Sequence, residues 1–272
     1  MSGNPIFGSK NQSAAWGTGA QNQGTVGFHE PSKDMSAQDL QAMYQQPSAT
    51  GYDTGRMTIG DVINKTILCV GLVAIGAAVG WFYTPLMFVG AIAGLVLGLV
   101  NSFKRTPSPA LILLYSAAEG LFLGGLSSFL NKMYDGVAIQ AVVATLCVAG
   151  ATLALYRSGK YRVSPKLNKM FFVAMIGMIA FSLVNVVLMW TNTVDGMFGL
   201  RSAGNGVLGL IIGVIAVLLA TYALVSDFTM IQDLERQGAP AIMAWRGAFG
   251  LTVTLVWMYT EILRILAILR EE

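Results

Sequence analysis

The chain has 272 residues, 54% hydrophobic and only 11% charged, against roughly a quarter charged in an ordinary soluble domain, so most of it is not built as a water-soluble fold. The net charge of +3 comes from scattered lysines and arginines rather than a basic block, which excludes nucleic acid as a partner. Cys69 and Cys147 both lie inside apolar runs and His29 is the single histidine, which excludes a disulfide framework and a His- or Cys-based metal centre.

The first element is a polar tail, residues 1–56, rich in Gly, Ser, Gln, Asn and Ala. It has no sustained apolar periodicity and too little apolar surface to offset the entropy of ordering, so the expectation is disorder. A short helix from Ser36 to Tyr44 is compatible with a Ser36 cap and with Leu40 and Met43 on one face. No apolar core of signal-peptide length follows Met1. Residues 57–272 form the second unit, in which apolar runs of about twenty residues recur, the length a helix needs to cross a bilayer. Seven spans are expected, at approximately 62–82, 85–103, 109–130, 137–156, 170–190, 206–231 and 247–269. The fold class is therefore an all-α integral membrane protein behind a polar tail. Gly76/Gly80, Gly90/Gly94/Gly98, Gly120/Gly124 and Gly209/Gly213 repeat every fourth residue, a spacing that lets helix backbones approach closely.

Basic residues divide unequally between the two sets of connections. One set holds Arg56, Lys65, Lys104, Arg105, Arg157, Lys160, Arg162, Lys166, Lys169, Arg236 and Arg246, and the other only Lys132, Arg201 and Arg270. The positive-inside rule then places the tail in the cytosol and the C-terminus outside. The lipid bilayer is the one partner the composition itself requires.

Three acids stand out within the spans: Glu119 in the third, Asp227 in the sixth and Glu261 in the seventh. An ionisable group at bilayer depth costs about 2.5–3.5 kcal/mol on insertion scales, so each needs a partner and is a functional candidate. At 1.5 Å per residue the three lie about 15, 6 and 21 Å from the cytosolic ends of their spans. Glu119 and Glu261 are thus expected to meet near the midplane, with Arg264, three residues beyond Glu261, beside them. Two carboxyls sharing a dry site can hold a proton between them, which suits a pH-sensitive gate or cation site. A buried ion network that merely fixes helix register is the alternative reading of the same residues. Asn101 and Asn185 are expected to bond between helices.

Enzyme classes fall away on residue content. The spans hold no histidine for a rhomboid-like serine protease, no GxGD for an intramembrane aspartyl protease, no late lysine for retinal and no phosphate-binding GxxxxGK[ST] loop. The expectation is a non-enzyme without a cofactor or dedicated metal site.

The stretch SDFTMI followed by FGLTVTLVWMYTEILRILAIL resembles the C-terminal signature of the Bax inhibitor-1/YccA-like family, and KRTPSPALILLYSAAEGLFLGG with the Gly/Gln-rich tail is most similar to its actinobacterial branch. The resemblance runs from Met57 to the C-terminus and implies seven helices with the last surrounded by the others. It also implies a calcium leak whose pH-sensing acids fall at Asp227 and Glu261, with Glu119 assisting and a basic group, Arg105 or Lys104, pairing with the helix-six acid. The chain departs from the family pattern in having Glu as the second acid and a longer segment between the two. The function expected on these grounds is a pH-sensitive cation leak in the cytoplasmic membrane, with calcium as the transported ion. The other implied role is a non-transporting modulator of a membrane protease or of membrane stress.

Overall fold

A computed structural model of the chain describes residues 55–159, 164–194, 198–202 and 207–271. The tail, its expected Ser36–Tyr44 helix and His29 lie outside these residues. Seven helices among them are long and apolar enough to cross a membrane: α1 Ile59–Phe82, α2 Leu86–Phe103, α3 Pro109–Met133, α4 Val137–Arg157, α5 Pro165–Trp190, α6 Val207–Arg236 and α7 Ala244–Glu271.

Several helices outrun their apolar stretches because capping and charged turns carry them into the interface. Thr58 accepts a hydrogen bond from the Asp61 N–H at the start of α1. Ser164 does the same for Leu167 at the start of α5, with Pro165 as its first residue, so α5 begins five residues before its apolar run. At its far end α6 continues through Asp233, Glu235 and Arg236. Phe82, Phe103 and Trp190 sit at helix ends and are more than 80% exposed, as aromatic side chains at a headgroup boundary are.

The seventh helix is central. It packs against α1, α3, α4 and α6, and it is the most buried of the seven, while α5 is the least. The second and fifth helices flank this core, α2 leaning on α3 and α5 on α6 and the short turn before it. Rows of outward apolar side chains, among them Ile67, Ile75, Ile92, Leu95, Ile176 and Leu183, remain exposed and face lipid.

Two glycine seams bring the backbones together. A Cβ on Gly76 would lie 2.6 Å from the Ala117 carbonyl oxygen, and one on Gly124 would overlap the Ala77 carbonyl, so the fourth-residue repeats of α1 and α3 interlock. On α2 a Cβ at Gly90 would lie 2.6 Å from both the Ala118 oxygen and the Phe122 nitrogen. Several buried hydroxyls are satisfied within their own helices: Ser116 donates to Ile112, Thr145 to Ala141 and Thr252 to Ala248.

One end of the bundle carries Arg56, Lys104, Arg105, Arg157, Arg236 and Arg246, and a backbone clasp closes it. Met57 N–H donates to the Ala239 carbonyl, Ala241 N–H to Gly55 and Ile59 N–H to the Glu235 carboxylate at 2.9 Å. The segment entering α1 is thereby tied to the connection between α6 and α7.

Candidate functional site

Glu261 is 4% exposed on α7, and two guanidinium groups occupy its carboxylate. Arg264, one turn on, bonds Oε2. Arg201 reaches Oε1 at 3.3 Å, and the Trp257 indole N–H donates to the same oxygen at 3.3 Å. Arg201 comes from the connection between α5 and α6, which turns back into the bundle as a 3-10 turn, Gly199–Arg201.

Asn185 on α5 holds that turn in place. Its amide donates to the Phe198 carbonyl at 3.1 Å and its carbonyl accepts from Leu200 N–H at 2.7 Å. Arg201 also donates to Ser182 Oγ at 2.9 Å and to Met178 Sδ at 3.0 Å, and lies 5.3 Å from the centre of the Phe181 ring. Glycines make the room: a Cβ on Gly209 would sit 2.8 Å from the Arg201 carbonyl oxygen, and one on Gly213 would sit 2.6 Å from Ile265 and 3.7 Å from Arg264. The Gly209/Gly213 repeat therefore seats a loop and a side-chain cluster as well as a neighbouring helix.

Asp227 lies two turns nearer the basic end. Its carboxylate accepts from Thr254 Oγ1 of α7 at 2.6 Å, and a Cβ on Gly250 would be 3.2 Å from its Oδ1. Thr254 precedes Glu261 by seven residues, about 10 Å along the helix axis. The acids that the resemblance pairs are consequently apart here, each with its own partners.

Glu119 faces α2, where a Cβ on Gly94 would lie 2.8 Å from Oε1. The Tyr115 hydroxyl, one turn back on α3, interacts with its carboxyl, and the Tyr115 ring packs edge-on against Phe249 of α7 at 5.1 Å. Tyr115 and Asp227 thus contact adjacent residues of α7, Phe249 and Gly250.

The expected meeting of Glu119 with Glu261 is not found. Glu119 is turned to the α2 seam by the rotation of α3, and Glu261 is already saturated by Arg264 and Arg201. Among the described residues no ion pair joins Asp227 or Glu119 to any cation; Arg105 and Lys104 are exposed and pair with neither. Arg264 pairs with Glu261, its neighbour one turn away, and not with Glu119. Asn185 bonds the re-entrant turn rather than another membrane helix, and Asn101 bonds Leu97 of its own helix at 2.9 Å. Arg201, which sequence reasoning counts only as a topology charge, is the residue of this cluster that it misses.

Other features lie apart from the acids. A cavity of about 240 Å³ between α1, α3, α4 and α7 is lined by apolar residues with the Ser127–Tyr259 hydroxyl pair, 2.6 Å apart, at its wall. No cluster of three or more His, Cys, Asp or Glu suited to a metal occurs among the described residues.

The family described as Bax inhibitor 1 like matches residues 4–271, almost the whole chain. No curated protein matches the chain at a significant level.

Proposed function

The chain belongs to the Bax inhibitor 1 like family, and on that premise we propose that it is a multi-pass protein of the cytoplasmic membrane that passes cations slowly, with calcium the ion and protons the control. The observation that carries this reading is the contrast among the three acids. Glu261 is neutralised by two guanidinium groups, whereas Asp227 and Glu119 are half-buried in the spans with hydroxyl neighbours and no cation. A carboxyl in that condition holds either a proton or a metal cation, and exchange between the two is the elementary step of a pH-controlled leak.

Asp227 is the ion-contacting group in this reading, with Thr254 Oγ1 as its neutral co-ligand and Glu119 as a second stop on the α3 side of α7. Glu261 is assigned a different part from the one its motif implies. Locked between Arg201 and Arg264, it closes the end of the bundle away from Asp227, and cations pass only when that cluster rearranges. Slow passage is the consequence of a closed resting state of this kind. The basic end faces the cytosol, so Asp227 is approached from that side. The chain is not an enzyme in this scheme and uses no cofactor.

Reconstitution into calcium-loaded liposomes tests the proposal. Protein-dependent calcium flux that changes with pH is expected, and Asp227→Asn lowers it by about tenfold, the loss that about 1.4 kcal/mol of ion attraction produces. Equal flux from protein-containing and empty liposomes overturns it and leaves the non-transporting role, in which the chain modulates a membrane protease or another membrane protein.

A further inference from the structure

Among the described residues the cluster at Glu261 does not balance its charge. Arg201 and Arg264, 9% and 7% exposed, share a single carboxylate, and neither makes a second ion pair among the described residues. The remaining contacts of Arg201 are Ser182 Oγ, Met178 Sδ and the Phe181 ring. These neutral groups accept N–H bonds or offer a π face, but they remove no charge. The Nε of Arg201 and the Nε of Arg264 are both buried and have no hydrogen-bond partner.

A guanidinium does not lose its proton in a protein, so the surplus positive charge cannot be shed as a lysine would shed it. Inside a bilayer-spanning bundle such a charge is retained with a counter-charge beside it. We propose that the Arg201–Arg264 pair is a binding site for one small monovalent anion of the chloride class, held beside Glu261 by the guanidinium N–H groups that lack partners.

Size and charge both select the ligand. Among the described residues the imbalance is one unit, which one monovalent ion cancels. The Arg201 and Arg264 side chains are only 11% and 8% exposed, which favours a halide over a lipid phosphodiester that must bring its glycerol with it. Met178 and Phe181, which touch Arg201, also line a cleft of about 210 Å³ between α5 and α6, and α5 is the least buried helix. The residues are those of the cluster that closes the bundle in the cation-leak reading rather than those that contact the cation, and chloride-dependent unfolding reads the anion site without reading flux.

Thermal unfolding of the full chain in phosphatidylcholine nanodiscs supplies the test, with chloride exchanged for gluconate at constant ionic strength. Chloride is expected to raise the unfolding temperature saturably. Arg264→Gln leaves a neutral Arg201–Glu261 pair and is expected to abolish the chloride dependence. Glu261→Gln removes the competing negative charge and is expected to tighten chloride binding by about tenfold or more. These two variants move in opposite directions, which a purely structural ion network does not produce, and either one alone decides the matter if the other fails to fold. A bromide soak of crystals is expected to place an anomalous peak against the two Nε atoms. Identical unfolding in chloride and gluconate overturns the proposal, as does stabilisation by phosphatidylglycerol with none by chloride.

Discussion

Asn185 shows how a single amide positions a charge. It is 7% exposed and satisfies both a carbonyl and an N–H of the turn that carries Arg201. Truncation to alanine leaves two part-buried backbone groups without partners, each at about 1–2 kcal/mol, the lower part of the range for a fully buried group. Asn185→Ala is therefore expected to lower stability by about 2–4 kcal/mol in detergent unfolding, and Asn185→Asp, which keeps the acceptor but loses the donor, by roughly half as much. Equal stability of Asn185→Ala and the parent chain would mean that the turn is held by something else. At this scale the sequence is partly readable. Glu261 and Arg264 stand three residues apart in one apolar run, and helical spacing alone puts them together. Arg201 reaches the same carboxylate through a reversal of the chain, which has no period to detect. Gly209 and Gly213 are the available trace of it, but a glycine repeat is read first as helix packing, whereas in the fold a loop carbonyl and a guanidinium lie above them.

Among the helices, the glycines fall into two classes that composition does not separate. Those at 76, 80, 120 and 124 meet backbone atoms of the facing helix at distances no Cβ tolerates, whereas those at 71, 150 and 177 have open space around them. Alanine at the first class forces α1 and α3 apart, and overpacking of this kind costs about 1–3 kcal/mol. Alanine at the second class contributes helix propensity instead, about 0.8–1 kcal/mol per residue in water-based scales. Gly124→Ala is thus expected to destabilise the protein in thermal unfolding, and Gly150→Ala to leave it unchanged or stabilise it. Similar losses from both would show that the α1/α3 seam is not the tight contact described. The spans themselves are legible because a bilayer demands long apolar runs, and their ends are not, because caps such as Ser164 and charged turns such as Asp233–Arg236 extend helices beyond the apolar stretch. The facing of each acid is also hidden: a length of helix gives depth directly, but the rotation that turns Glu119 toward Gly94 depends on how α3 settles into its seams.

For the whole molecule, the unequal distribution of basic residues and the clasp at one end bear on the same question, which side faces the cytosol. Gly55, Met57 and Ile59 bond to residues 235–241, so the entry to α1 and the α6–α7 connection share one face of the membrane whatever its orientation. The connection between α5 and α6 emerges at the other. The positive-inside rule assigns the first face to the cytosol, since its connections hold most of the lysines and arginines. A single cysteine placed at each end tests this in a background where Cys69 and Cys147 are replaced by alanine. Thr193 and Gln237 are both exposed and lie at opposite ends. In intact cells a membrane-impermeant maleimide is expected to label Thr193→Cys and to leave Gln237→Cys unlabelled until the membrane is permeabilised. The reverse pattern would turn the bundle over, bring Asp227 nearer the outer face, and require the proposed leak to admit its ion from that side. Labelling of both positions in intact cells would break the link between clasp and topology, because two sites separated by the length of α6 cannot face the same solution across an intact bilayer.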